Sequence, residues 1–106
     1  MKLMTKELAK SLPALYAQEK LGNQAIVHVH YFNPVGTGDW YFLEFDGVDT
    51  LFGLCCIQEA ELGYASLAEL SAVKLRLGLG IERDLHWSPK PMGEVKEIVK
   101  TKGYRV

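Results

Sequence analysis

The chain has 106 residues, of which 48% are hydrophobic and 24% are charged, and its formal net charge is −1. This composition is typical of one globular domain spanning residues 1–106, and it excludes a disordered or a fibrous protein. The near-zero net charge also differs from the basic excess that marks most nucleic-acid-binding domains.

The N-terminal third predicts a short helix followed by a strand. Thr5 is a suitable N-cap for a helix that reaches Leu12, and Pro13 ends that helix. Hydrophobic and polar residues then alternate over 26–32, which predicts a strand. One face of this strand would carry Ile26, His28, His30 and Phe32, and the other face Val27, Val29 and Tyr31.

Residues 40–56 predict a hairpin around Asp46-Gly47, because glycine accepts the positive φ that tight turns require. An even-length turn would place one set of side chains on the core face of the sheet. That set is Tyr41, Leu43, Phe45, Thr50, Phe52 and Leu54. The opposite face would carry Trp40 and Phe42, with Gly53 leaving room for an aromatic ring. An odd-length turn would reverse this pairing of faces.

The second half adds two helices and up to two strands. Residues 61–65 can extend the sheet, and Ser66 with Glu69 forms a capping box at the start of a helix that Gly78 ends. Alternation over 81–87 predicts another strand, and residues 94–100 predict a final helix. Because most strands follow one another directly, the fold class is α+β. We expect a mainly antiparallel sheet of four to five strands with two to three flanking helices.

Four segments of the chain are similar to one protein family. They are Met1–Pro13, Glu44–Gly53, Glu61–Leu70 and Gly80–Leu85. Together they resemble a family of small bacterial proteins from plasmids and integrative elements, catalogued as domain of unknown function twenty-nine fifty-eight. The resemblance implies a mobile-element setting, and it carries no established activity, cofactor or catalytic residue.

A strand over 81–87 would place Glu82, Asp84 and His86 on one face, with Arg83 on the other. A carboxylate can orient and stabilise an imidazole that acts as a general base, so these three residues are candidate catalytic groups. The alternative is a solvated edge strand whose charges discourage aggregation.

His28 and His30 would point the same way and could begin a metal site. Glu44 is the leading candidate for a third ligand, and Glu59 and Glu61 are alternatives. No recognised zinc spacing is present, so a polar, half-exposed sheet face is the simpler interpretation. The acidic turn Asp46–Asp49 is similarly explained by backbone geometry rather than by cation binding.

The cysteines and the aromatic residues can also be explained by a structural role. Cys55 and Cys56 are adjacent on a strand, so we expect two buried thiols. Trp40, Phe42 and Trp87 would form a binding surface with Arg83 if they were exposed together, and would otherwise belong to the core. The C-terminal cations Lys96, Lys100, Lys102 and Arg105 fit the solvated face of a helix.

The sequence favours an accessory protein that binds another macromolecule, most simply a protein, through a sheet face or an aromatic patch. One alternative is a small metal-dependent hydrolase that uses His28 and His30, or His86 with carboxylates, and another is a nucleic-acid-binding module. We expect no cofactor, since Walker, dinucleotide and Gly-x-Ser-x-Gly motifs are absent. No signal-peptide core or membrane-length apolar run is present, so we expect a cytoplasmic protein. The oligomeric state is left open.

Overall fold

The structure is a computed structural model that describes residues 2–106. The three α-helices are α1 (Lys6–Ser11), α2 (Leu67–Ala72) and α3 (Met92–Thr101). The seven strands are β1 (Ile26–Val27), β2 (Val29–Phe32), β3 (Asp39–Phe45), β4 (Thr50–Cys56), β5 (Ala60–Ser66), β6 (Glu82–Arg83) and β7 (Lys90–Pro91). Short 3₁₀ turns cover Gly22–Gln24 and Arg76–Gly78.

The main sheet is antiparallel and has the strand order β5-β4-β3-β2-β6, while β1 and β7 form a separate pair. The predicted α+β class and the predicted sheet of four to five strands are therefore confirmed. No helix among residues 2–106 has the length and apolar character that crossing a membrane requires.

Both faces of the sheet are covered by apolar side chains. One core contains Val29, Tyr31, Phe42 and Leu51, and residues of α1 and α2 pack against it. The second core contains Tyr41, Leu43 and Leu54 together with the buried side chains Met92, Val95 and Val99 of α3. Neighbouring residues of β3 thus serve opposite cores, as the alternation of side chains along a strand requires.

A β-bulge in β3 changes the predicted assignment of one core residue. Phe42 pairs with Gly53, whereas Glu44 pairs with Phe52, so Leu43 is an extra residue on its strand. Such an insertion shifts the alternation of side chains by one position. Phe45 consequently lies in the first core, and the prediction that it shares a face with Tyr41 is wrong.

Two other predicted strand patterns also break. The strand over 26–32 is interrupted at His28, so Val27 lies in the second core while Val29 lies in the first. The strand predicted over 81–87 is only two residues long, because the chain turns after Asp84. There the Asp84 carboxylate accepts a hydrogen bond from the His86 amide, which is a local turn geometry that competes with a strand.

Helix starts are predicted more accurately than helix ends. The side chains of Thr5 and Ser66 cap α1 and α2, as expected. However, α2 ends at Ala72 instead of continuing to Leu77, which adopts a left-handed conformation with φ 64°. Gly53 is required for a reason other than the predicted one, because a Cβ atom there would overlap the main chain of β3 at Tyr41.

Candidate functional site

His30 lies at the centre of a chain of hydrogen-bonded ionisable groups, of which it and Asp39 are buried. Its side chain is held by β2, and the residue is only 6% exposed. The ring Nε2 lies 2.7 Å from a carboxylate oxygen of Asp39, and Nδ1 lies 3.0 Å from a carboxylate oxygen of Asp84. The ring stacks on Tyr41 with centroids 4.4 Å apart. Three separate segments, β2, the start of β3 and the turn after β6, therefore meet at one imidazole.

Asp39 extends this chain to the C-terminal segment. Its carboxylate accepts hydrogen bonds from the Lys102 ammonium at 2.8 Å and from the Tyr104 hydroxyl at 2.9 Å, in addition to His30. Burial by itself would raise the pKa of Asp39, but these three donors outweigh it and the pKa is lowered. We call Asp84, His30, Asp39, Lys102 and Tyr104 the charge chain.

The charge chain surrounds each of its carboxylates with hydrogen-bond donors. Ionised carboxylates only accept hydrogen bonds, and Asp39 receives them from Lys102 and Tyr104 in addition to its contact with the ring of His30. Asp84 receives one from the His86 amide and contacts the other nitrogen of the same ring. Both nitrogens of His30 therefore already face a carboxylate.

The three predicted catalytic residues do not line one face of a strand. Asp84 joins the charge chain, and burial, which would raise its pKa, is outweighed by the hydrogen bonds from His30 and from the His86 amide, so the pKa is lowered. The side chain of His86 is exposed on the turn, and Glu82 is half-buried on β6. The prediction that these side chains line one strand face is wrong, because the strand ends before Asp84.

The predicted metal ligands are also separated. His28 lines a pocket with Thr5 and Leu8 of the α1 region, whereas the ring nitrogens of His30 contact Asp39 and Asp84. Glu44 is buried and accepts main-chain hydrogen bonds, as described below. Within residues 2–106, no group of three or more His, Cys, Asp or Glu side chains is arranged to hold a metal ion.

The predicted aromatic surface does not form. Phe42 is fully buried, and Trp40 packs half-buried against the first core. Trp87 packs against the second core, donates its indole N–H to the Val27 carbonyl and carries the Lys90 ammonium over its ring. These rings therefore pack in the two cores and do not form the contiguous binding patch that the sequence predicted. Arg83 is half-buried on β6.

The C-terminal cations and the cysteines are engaged or buried. Each of the four cations bonds to a group of the same chain: Lys96 to Asn23, Lys100 to Glu97, Lys102 to Asp39, and Arg105 to Glu59. Burial raises the pKa of Cys55 to about 11 and that of Cys56 to about 12, which keeps both thiols protonated at neutral pH. Both cysteines are free.

A partly open apolar cavity lies beside β5. On the face of the second core, α3 leaves the β5 side of the sheet uncovered, and an apolar cavity of about 220 Å³ opens there. Its exposed rim includes Tyr16, Leu62 and Tyr64, each more than half exposed, and Phe52 forms part of its wall. We call Tyr16, Phe52, Leu62 and Tyr64 the apolar groove.

A strained turn places Tyr16 at this groove. Tyr16 has φ 71°, a left-handed conformation that non-glycine residues seldom adopt. The turn is held by Glu44, which is 2% exposed and accepts hydrogen bonds of 2.8 Å from the amides of both Tyr16 and Gln18. Gln18 adds hydrogen bonds to the main chain of Ile26 and Leu43. A hydrogen bond with Tyr16 is the main reason that the pKa of Tyr64 is raised.

The sequence contained only part of the information needed to find these two regions. The charge chain joins residues 30, 39 and 84 with the C-terminal tail, and no local spacing links such distant positions. The anchoring role of Glu44 depends on the bulge at Leu43, which pattern analysis did not detect. A usable signal for the groove was the pair Leu62 and Tyr64, two large apolar residues alternating on a strand that contains one charge.

Comparison with known proteins identifies a family but no activity. The sequence pattern of the family described as "Protein of unknown function (DUF2958)" matches residues 3–104. The resemblance predicted from the separated segments is thereby confirmed. No curated protein matches the chain, and no solved structure matches it.

Proposed function

We propose that this chain, which belongs to the family described as "Protein of unknown function (DUF2958)", acts by binding another polypeptide through the apolar groove. The accessory role in a cytoplasmic, mobile-element setting is part of this proposal. It moves the predicted contact surface from Trp40 and Phe42 to the β5 side of the sheet.

The observation that carries the proposal is the strained, anchored display of Tyr16. A left-handed tyrosine costs of the order of 1–3 kcal/mol, and such strain concentrates at functional positions. A buried carboxylate with two amide donors keeps the turn in this conformation. The result is an aromatic ring, 62% exposed, at the rim of an apolar cavity. Large apolar side chains grouped at a concave surface are typical of protein-binding sites.

The size of the groove favours a polypeptide over a small molecule. Pockets that enclose small ligands usually measure about 300–1,000 Å³, whereas this cavity measures about 220 Å³. That space suits an apolar side chain inserted from a partner's surface. The exposed rings of Tyr16 and Tyr64 can then pack around the inserted side chain and exclude water from it.

Site-specific photo-cross-linking in bacterial cells tests this function. A photoreactive aromatic amino acid at position 16 should cross-link one discrete polypeptide, and the additional substitution Leu62→Lys should abolish that product. The matched control is the same amino acid at Val48, which is 82% exposed on the β3–β4 turn and should give no such product. The discrete product would then be purified and its binding measured directly, with Leu62→Lys as the weakened variant. Equal labelling from both positions, or no product from position 16, would contradict the proposal.

A further inference from the structure

The outer edge of β5 has unpaired main-chain groups at known positions. The amide of Ala60 donates to the Arg105 carbonyl at 2.8 Å, which lies outside the main sheet, and Glu59 forms a parallel bridge with Arg105. Main-chain groups of a strand alternate in direction along its length. The N–H and C=O groups of Leu62 and Tyr64 therefore point away from β4, toward the open edge.

This edge has few of the features by which proteins usually protect an exposed strand. Within β5 there is no lysine, no proline and no bulge, and its register with β4 is regular over seven residue pairs. Glu61 is the one ionisable acid in the strand, and the C-terminal tail covers the edge at Ala60 alone. Natural edge strands are normally shortened, charged, bulged or covered, because an open edge pairs with other strands. The contact with Arg105 is the same kind of main-chain pairing that an added strand would extend.

The opposite edge of the sheet is different. It is formed by β6, which has only two residues and ends at the turn held by Asp84. Among residues 2–106 the main sheet thus has one long open edge, at β5. A two-fold interface uses the same surface from both copies and closes, whereas growth into a filament would require a second compatible edge.

We propose that two copies of this chain associate through their β5 edges, pairing antiparallel about Tyr64 to form one continuous sheet. Arg105 already pairs with Ala60, so the pairing between the two copies begins at Leu62. The two-fold axis of the dimer therefore lies nearer the C-terminal end of β5. In this register Glu61 does not face its own copy, and the net charge of −1 gives little repulsion between copies. The side chains of Leu62 and Tyr64, now 57% and 55% exposed, would be partly covered.

The association deepens the proposed function, because it would set two apolar grooves side by side on one face of the joined sheet. A partner with two binding segments could then engage both grooves, which raises overall affinity without any new contact. The two proposals still use different atoms. Dimerisation depends on the main chain of β5, while polypeptide binding depends on side chains of the groove, of which Tyr16 and Phe52 lie outside β5.

Light scattering on the full chain and cysteine cross-linking test the association. The mass in solution should be twice the 11.9 kDa of one chain. In Tyr64→Cys, the two new thiols would face each other across a hydrogen-bonded antiparallel pair, where Cα atoms lie about 5.5 Å apart, within the range of a disulfide. Mild oxidation should therefore convert most of this variant into a covalent dimer. Leu77→Cys, at a residue 90% exposed elsewhere, and the unchanged chain, whose Cys55 is half-buried and whose Cys56 is buried, should give little.

A monomeric mass at all concentrations, or equal cross-linking of Tyr64→Cys and Leu77→Cys, would overturn the association. Because the light scattering uses the unchanged chain, a folding defect of a variant cannot produce the monomeric result. Tyr16→Ala separates the two proposals, since it should weaken cross-linking of the other polypeptide from position 21, at the exposed Leu21, and leave the dimer mass unchanged. If Tyr16→Ala instead abolished the dimer, the β5 edge would not be the interface.

Discussion

The charge chain around His30 and the apolar groove beside β5 are opposite kinds of surface. The charge chain is rich in ionisable side chains, and its two carboxylates lie 2.7–3.0 Å from the ring nitrogens of His30 and from the Lys102 ammonium. The groove contains few charges, and its large apolar side chains are left in contact with solvent. A cluster of ionisable residues therefore indicates a binding or catalytic site only where some of its donors or acceptors lack a partner within the protein.

The comparison also explains why the two regions should respond differently to substitution. Removing one member of a hydrogen-bonded set leaves the remaining charges with fewer partners, which destabilises the fold. Removing an exposed apolar side chain leaves no buried group unsatisfied, so stability changes little while binding is lost. The predictions below test this contrast, beginning with the largest expected effect.

His30→Ala should have the largest effect on stability. It removes the imidazole that pairs two carboxylates, so Asp39 and Asp84 remain close together without the group between them. His30 makes two hydrogen bonds to carboxylates, and each hydrogen bond to a charged group contributes about 1.5–3 kcal/mol to the free energy of unfolding. Urea denaturation at pH 7 measures this cost, with His86→Ala, an exposed histidine of the same region, as the matched control. A loss below about 1 kcal/mol would show that the charge chain does not hold the fold together.

Glu44→Ala should have the next largest effect and should connect the two regions. The substitution leaves the amides of Tyr16 and Gln18 without acceptors, and each unsatisfied buried group costs about 1–3 kcal/mol. Because the turn then loses its anchor, binding at the groove should fall as well. Denaturation measures the first effect and cross-linking from position 21, at the exposed Leu21, measures the second. The control is Glu19→Ala, an exposed glutamate in the same turn, which should change stability by less than about 0.5 kcal/mol.

The sequence predicted the elements of this fold better than the faces of its strands. Capping residues such as Thr5 and Ser66 are local signals, and both identify helix starts correctly. The bulge at Leu43 and the break at His28 depend on contacts between distant segments, and each of them shifts which residues share a face. The candidate sites were derived from those faces. For this reason the pattern predicted His30 as a metal ligand and Asp84 as a catalytic group, although the two side chains contact each other.

Acidification should weaken the charge chain. The folded-state pKa of Asp39 is lowered: burial opposes this, but the hydrogen bonds from His30, Lys102 and Tyr104 prevail. A carboxylate with a lowered pKa stabilises the fold above its unfolded pKa of about 3.9, and this contribution is lost as the pH falls through the folded value. The free energy of unfolding should therefore decline below about pH 4 more steeply in the unchanged chain than in Asp39→Asn.

Urea denaturation between about pH 5 and pH 2 measures this difference in slope. Glu19→Gln, which removes an exposed carboxylate, is the control and should retain the slope of the unchanged chain. Equal slopes in Asp39→Asn and the unchanged chain would mean that Asp39 gains nothing from its three donors in the folded state.

Tyr16→Gly should give the smallest change in stability, and that change should be an increase. Glycine adopts φ 71° without the cost that a tyrosine incurs, although it also gains freedom in the unfolded chain. We expect a net stabilisation of about 0.5–1 kcal/mol, together with weaker binding to the cross-linked polypeptide. Leu77→Gly is the matched control, because Leu77 has φ 64° on an exposed turn away from the groove. It should stabilise the chain similarly and leave binding unchanged, since strain relief is shared by the two positions whereas contact with a partner belongs to Tyr16. If Tyr16→Gly retained full binding, the strained tyrosine would not be part of the binding surface.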